Sequence, residues 1–585
     1  MQTIKKIINL LDRDELIGVR KLVLIVILVA FFDLVGIASI MPFMSLVANI
    51  NLVDSNEYLF WVYTNFDFDN KKQFLFFLGI LVFSFLILSL ALRALMTYQI
   101  LKFTYEKQYL ISKRLLNNYL EKPYLWIISR HSSELSKNIL TESSVVVEHG
   151  LMPLIILITN SILVGSIALL LIFFTPALFL GVLGVFSISY FFIYKFVDKK
   201  IDLFGKERLK NNEKRFQVVE ETFSLIKFLK INELYKKFTK NYFSAAKNYS
   251  SSQTNAMTIK NMPKFLIEAL VFGGMIVVTL FLINSNKEFH QVISILSLYA
   301  VAGYKLMPSI QQIFGSISQL RFAGPSLDLI SSQLFEPRKD EIDLQEEIYF
   351  NKNIKLKNVT FFYDNSNYQG VSSINLTINR GSNIAFIGST GSGKTTLVDL
   401  IIGLICPQNG AIYIDDTKLS KFNYLSWQRK IGYVPQNVIL FDGSLAENIA
   451  LSGSSKEIDM QKVVNVAKIA MLDDYIENLP SKYESMVGDK GSKLSGGQKQ
   501  RLGIARALYQ SPSVLILDEA TSALDSSTEK KLLNELKIYS KDITLLMITH
   551  KESTLNLCEK IYMLNEGKIN PIKNHRPLIK KNKIP

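Results

Sequence analysis

The stretch "GSTGSGKTT", residues 388–396, decides how the second half of this chain is read. It fits the pattern GxxxxGK[ST], follows the apolar run "IAFI" (384–387) and leads into the helical run "TLVDLIIGL", so it occupies the turn between a strand and a helix. Its glycines let the backbone amides curl around an anion at a helix start, where the helix dipole also favours negative charge. In that setting Gly388, Ser389, Thr390, Gly391, Ser392, Gly393, Lys394, Thr395 and Thr396 form a phosphate loop. Lys394 supplies a point charge to the β- and γ-phosphates, and Thr395 a hydroxyl to Mg²⁺. A glycine turn that merely links strand to helix is the plainer alternative, and the strand–loop–helix context weighs against it.

Two further runs bear on the same chemistry. "VLILDE" (514–519) is a buried-strand pattern ending in two carboxylates that face opposite ways. Asp518 suits magnesium through water, and Glu519 suits polarising an attacking water. "LSGGQ" (494–498) opens the helical run "KQRLGIARAL", so Ser495 and the amides of Gly496, Gly497 and Gln498 make an anion-binding helix start. Strand-like runs at "IKLKNVTFFY", "NIAFIG", "SVLILDE" and "DITLLMITH" alternate with helical segments, which predicts an α/β domain with a largely parallel sheet over 349–575. A linker over 326–348, with the acidic stretch "EPRKDEIDLQEE", precedes it, and a basic tail over 576–585 follows.

The other half reads as a membrane domain, residues 1–325. The chain has 585 residues, 49% hydrophobic and only 20% charged, too apolar for an ordinary soluble protein. Six stretches are long and apolar enough to span a bilayer: about 22–47, 73–98, 151–174, 176–194, 265–283 and 289–307. Thr175-Pro176 is the turn of a tight hairpin between the third and fourth. An even number of spans puts both termini on one side. The long connections 99–150 and 195–264 lie with them and are rich in Lys and Arg, which places all of these in the cytoplasm. Segment 195–264 carries apolar residues at helical spacing, so its helices continue tens of ångströms beyond the membrane, with hairpin tips at 122–135 and 220–234 poised to touch a cytosolic domain. The N-terminal "MQTIKKIINLLDRDELIGVRK" is amphipathic and reads as a helix at the membrane surface, not a signal peptide.

A net charge of +15 raises the question of nucleic acid, but the charge flanks the apolar spans and fills the tail "KNHRPLIKKNK", the pattern of cytoplasmic flanks near anionic lipid. No nucleic-acid partner is expected. Cys406 and Cys558 lie far apart without metal-ligand spacing, which excludes a disulfide framework or a zinc site.

Within the spans, Arg93, Lys264 and Lys305 are the conspicuous cations. A charge at mid-bilayer costs about 3 kcal/mol, so such residues face a pathway or a partner. Three cations bordering one cavity would suit an anionic headgroup such as phosphate or pyrophosphate. Snorkelling at membrane edges and pairing with Asp33 and Glu268 are the plainer alternatives.

Taken in order, these motifs resemble those of ABC transporters of the exporter kind, with one membrane domain fused to one nucleotide-binding domain; the resemblance covers essentially the whole chain. It implies that Tyr363 in "VTFFY" stacks on adenine and that Gln436 in "GYVPQN" reaches magnesium and the lytic water. Asp525 in "SALD" would couple the two ATP sites, and His550 in "MITH" would contact the γ-phosphate. Lys551 follows His550 where the family often has arginine. The resemblance also implies a homodimer, because each ATP is sandwiched between the phosphate loop of one domain and the LSGGQ of another. The runs "DLVGIASIMPFMSLV", "LRAL" and "YKLMPS" look most like the bacterial flippases for lipid-linked oligosaccharides of protein N-glycosylation. That likeness implies a polyprenyl-pyrophosphate oligosaccharide as substrate in a bacterial cytoplasmic membrane, with the aromatic segment "SNEYLFWVYTNF" (55–66) near the lipid tail. Export of another amphiphile by the same mechanism is the alternative.

Overall fold

The computed structural model describes residues 2–55, 57–283, 289–335, 346–363, 369–452, 457–539, 543–556 and 558–572. The basic tail and most of the acidic stretch 336–347 lie outside the described residues. The chain forms two compact units, Met1–Lys122 with Trp126–Arg338, and Lys339–Pro585 with Pro123–Leu125.

The first unit is helical. Five stretches among its described residues are long and apolar enough to cross a membrane: Ile17–Ala48, Lys71–Leu120, Ser132–Phe174, Tyr235–Leu282 and Gln291–Phe322. The fourth predicted span falls on the helix Pro176–Ser224, where the side chains of 185–199 lie outside the described residues. Thr175 breaks the run with an extended φ of −146°, and Pro176 starts the next helix, the position a proline tolerates best. The helix Lys71–Leu120 has 50 residues, about 75 Å at the α-helical rise, against a hydrocarbon core of roughly 30 Å. The predicted tips are breaks between helices. Lys71–Leu120 gives way to the short helices Tyr124–Ile128 and Ser132–Lys137, and Pro176–Ser224 gives way to Ile226–Ile231 and then Tyr235–Asn261.

The segment read as the start of a linker carries structure. Gly324–Phe335 is helical, with Leu327 and Ile330 buried in the core of the helical unit. Its apolar spacing of three and four residues is a helical stripe too short to weigh much in a sequence scan. Two buried polar networks hold it. Ser326 meets Glu142 and Arg208, and Gln333 meets Tyr119 and Asn138.

The second unit contains the predicted parallel sheet. Its strands are β1 (Asn353–Phe362), β2 (Gln369–Asn379), β3 (Asn383–Ile387), β4 (Asn409–Ile414), β5 (Thr417–Lys418), β6 (Ile431–Val434), β7 (Val514–Asp518), β8 (Thr544–Ile548), β9 (Lys560–Asn565) and β10 (Lys568–Ile572). Six make one sheet in the order β10-β9-β3-β8-β7-β6, parallel except for β10. Its central strands are apolar without interruption because both faces are covered. Alternate residues enter different cores: Leu545, Met547, Leu515 and Leu517 pack on one side, and Leu546, Ile548, Val514 and Ile516 on the other. Pro571 sits on β10, the edge strand, where the lack of an N–H costs least. A separate antiparallel sheet, β2-β1-β4-β5, extends the unit; its strand order was not legible in the sequence.

Candidate functional site

The phosphate loop leaves the carboxyl end of β3, an interior strand flanked by β9 and β8, which is where α/β sheets bind ligands. Gly393 has φ +99° and is the first residue outside the helix Lys394–Ile402. A Cβ there would lie 2.3 Å from the carbonyl oxygen of Gly370, and one at Gly388 (φ +152°) would lie 2.3 Å from that of Leu564. Both positions therefore require glycine. Lys394 curls back to donate to the carbonyls of Gly388 (2.7 Å) and Ser389 (2.9 Å), oxygens that stand in for phosphate. Burial pulls its ammonium pKa below the ordinary value, against the pull of Glu519 and Asp518. Ser392 Oγ is buried without a hydrogen-bond partner among the described residues. A folded-back lysine, an orphaned hydroxyl and glycines that leave no room for a Cβ fit a phosphate chain. Gly393→Ala is expected to abolish the rise in melting temperature that ATP gives the unsubstituted protein, and an unchanged ATP response in the variant would refute the steric argument.

Asp518 ends β7 and Glu519 follows it in the left-handed region, φ +48°. Gln436 donates to Glu519 Oε2 at 2.6 Å, and His550 Nε2 lies 3.7 Å from Glu519 Oε1. The three residues assigned to catalysis thus converge although 83 and 31 residues separate Glu519 from its two partners. The Tyr433 hydroxyl points at Asp518 Oδ2, 3.4 Å away. Burial, with the neighbouring Glu519, raises the Asp518 carboxyl above its ordinary range. Burial, with Asp518 nearby, pushes Asp399 up to about 6. Such a crowd of carboxylates against one lysine suits a divalent cation. Thr395, Asp518 and Gln436 are the residues that would hold Mg²⁺, which neutralises phosphate charge when bound.

The signature segment is a helix start. Ser495 Oγ accepts from the amide of Gln498 (3.3 Å), and Gln498 Oε1 accepts from the amide of Ser495 (2.8 Å), a reciprocal cap on the helix Gly496–Tyr509. Gly496 and Gly497 are packed against Ala523 and Leu524, the turn before Asp525. Asp525 accepts from Ser527 Oγ and from the amide of Thr528 (2.9 Å), and these bonds hold its carboxyl well below the usual range. Tyr363 lies just past β1, edge-on to Phe361, with its hydroxyl 3.3 Å from Thr396 Oγ1 beside the phosphate loop.

Sequence reasoning missed several residues. Gln500 bridges the signature helix to the loop after Glu519, donating to Ser522 Oγ (2.9 Å) and accepting from the amide of Ala523 (2.9 Å). Glu529, fully buried, accepts from Thr521, Ser553 and Thr554, and lies 3.5 Å from Lys551 Nζ. Only proximity to the motifs "LSGGQ" and "MITH" could have drawn attention to these residues.

In the helical unit the three cations separate. Asp33, 2% exposed, accepts from Arg93 (2.6 Å), from Lys305 (2.6 Å) and from Ser89. Lys264 lies 3.8 Å from Glu268, one turn along the same helix. The pairings with Asp33 and Glu268 are therefore the observed ones. A cavity of about 520 Å³ is lined by Arg93 and Lys264, together with Lys260, Asn160, Gln311 and Gln312. Lys305 is not among its lining residues, which corrects the expectation that all three cations border one cavity: Lys305 is buried against Asp33 instead. Lys260, absent from the sequence reading, has no ion pair among the described residues.

Fold and site together define a helical membrane unit joined to an ATP-binding cassette. Residues 371–522 match the sequence model of the family described as ABC transporter. The chain is 36% identical over 267 residues to ABC transporter B family member 29, chloroplastic, of Arabidopsis thaliana, covering 45% of this chain and 42% of that one. It is 40% identical over 227 residues to the ATP-dependent lipid A-core flippase of Ralstonia nicotianae, covering 39% and 38%. The matched region thus spans about two fifths of the length of these curated relatives. Among solved structures, a bacterial Atm1-family ABC exporter with ATP bound superposes with a TM-score of 0.81 at 19% identity, over 97% of each chain. The chain has the ABC exporter fold.

Proposed function

We propose that the chain is one half of an ATP-driven exporter, acting as a homodimer in a membrane with its cassette on the cytoplasmic side. ATP is held between Lys394 of one copy and Ser495 of the other, and Glu519 polarises the attacking water. The observation that carries this reading is the convergence of Gln436, Glu519 and His550 beside a phosphate loop in a chain whose other half is membrane-spanning. Hydrolysis drives alternating access of the helical unit.

The cargo we favour is an amphiphile with an anionic headgroup, in particular a polyprenyl-pyrophosphate oligosaccharide. Support comes from the cavity, where Arg93, Lys264 and Lys260 outnumber the acidic groups, and from the aromatic helix Glu57–Asn65, which exposes Tyr58 and Trp61. The relatives' names allow a broader reading, export of other lipids or drugs.

The test uses proteoliposomes carrying the oligosaccharide lipid, with Glu519→Gln as the inactive control. ATP-dependent exposure of sugar on the opposite face by the unsubstituted protein alone supports the cargo. Replacing Arg93, Lys260 and Lys264 together by alanine is expected to cut that transfer at least about tenfold while basal ATP hydrolysis persists. Unaltered transfer would refute the cationic recognition, and ATPase activity stimulated by uncharged amphiphiles without sugar transfer would favour the broader reading.

A further inference from the structure

The loop between Glu519 and Asp525 joins the residue placed at the lytic water to the one that ends the signature-facing turn. It is a chain of tight turns: the Ser522 amide donates to the Glu519 carbonyl (3.0 Å) and the Leu524 amide to the Thr521 carbonyl (3.1 Å). Two clamps hold it. From the signature helix, Gln500 grips Ser522 and Ala523. From the opposite side, Lys551 Nζ donates to the carbonyl oxygens of Thr521 (2.6 Å) and Leu524 (3.1 Å), spanning the loop from its third residue to its sixth.

Lys551 is itself held. Glu529, with no exposed surface, lies 3.5 Å from its ammonium and is further satisfied by Thr521 Oγ1 (2.6 Å), Thr554 Oγ1 (2.8 Å) and Ser553 Oγ (2.8 Å). The Lys551 amide donates to Thr549 Oγ1 (3.1 Å), so the backbone around His550 is tied into the same network. A buried carboxylate retained with one cation and three hydroxyls is costly unless it fixes geometry, and what it fixes here is the position of one ammonium.

We infer that Lys551, held by Glu529, is a positioning residue for ATP hydrolysis that locks the Glu519–Asp525 loop to the strand end bearing His550. A displacement of His550 is passed through the Lys551 ammonium to the carbonyls of Thr521 and Leu524, and so to both ends of the loop. The role differs from electrostatic contact with nucleotide, because the ammonium points at backbone carbonyls and a buried acid. The inference rests on the proposed ATPase reading.

The test compares the full-length protein with Lys551→Met, Lys551→Arg and Glu529→Gln, measuring kcat, KM for ATP, melting temperature and amide hydrogen exchange over 519–525. Lys551→Met is expected to lower kcat at least about tenfold with KM within about twofold, and to accelerate exchange in this loop alone. Lys551→Arg, which retains a donor cation, restores kcat to within about threefold. Glu529→Gln, which keeps the shape of the side chain, reproduces the loop exchange of Lys551→Met in part. Wild-type kcat and loop exchange in Lys551→Met would overturn the inference. So would a fall in kcat matched by equal losses of nucleotide affinity and melting temperature, the mark of a general structural defect. Absence of ATP hydrolysis in the unsubstituted protein would instead defeat the ATPase reading, and the loop exchange would still report whether the clamp exists.

Discussion

Asp33→Ala is expected to destabilise the helical unit by about 3–5 kcal/mol, the usual consequence of stripping a buried cation of its partner. Asp33 is the single acceptor onto which Arg93, Lys305 and Ser89 converge. Arg93 is a third exposed and retains access to the cavity, but Lys305 is 7% exposed and would be left buried with a full charge. The prediction has an internal control. Lys305→Met in the Asp33→Ala background removes the uncompensated charge while keeping a flexible apolar chain of similar length, so the double variant should be more stable than Asp33→Ala alone. Unfolding midpoints in detergent for the four proteins of this cycle provide the measurement. An Asp33→Ala variant that melts with the parent, or a double variant that is additively worse, would show that the cluster is solvated and that its geometry carries no such energy.

Glu519→Gln is expected to lower ATP hydrolysis by about a hundredfold or more while ATP still raises the melting temperature. The structure gives a specific reason to expect the carboxylate to matter. A non-glycine residue at φ +48° is strained, and such strain persists only where surrounding structure enforces it. Here the Glu519 amide donates to the Ile548 carbonyl at 3.0 Å, and Gln436 holds one carboxylate oxygen while His550 approaches the other. Glutamine preserves volume and one acceptor oxygen but cannot take a proton from water. Hydrolysis at the parent rate in this variant would remove Glu519 from the reaction. Loss of the ATP-dependent melting shift along with hydrolysis would place it in nucleotide binding instead.

The cassette was legible because its chemistry is written in short, contiguous patterns. A glycine spacing that a phosphate loop demands, a strand of alternating faces ending in two acids and a serine three residues before a glutamine are local constraints. Backbone geometry enforces them wherever the rest of the chain lies, and Gly388 and Gly393 occupy the positions those constraints require. Apolar length likewise fixed the helical unit, since only a helix satisfies its own backbone in lipid. Pairing was different. That Lys305 finds Asp33 across 272 residues, that Arg93 finds the same carboxylate, and that Lys260 shares their cavity depend on how helices rotate about their axes when they pack. Hydropathy carries no record of that rotation. The helix Gly324–Phe335 was hidden for a related reason: it is held by buried polar contacts from distant helices, not by a long apolar face. So was the clamp of Lys551 on the Glu519–Asp525 loop, which exists only because β7 and β8 lie side by side in the sheet. Residue type and spacing determined which chemistry this chain contains, and the tertiary structure alone decided which charges neutralise one another and which stay open to a ligand.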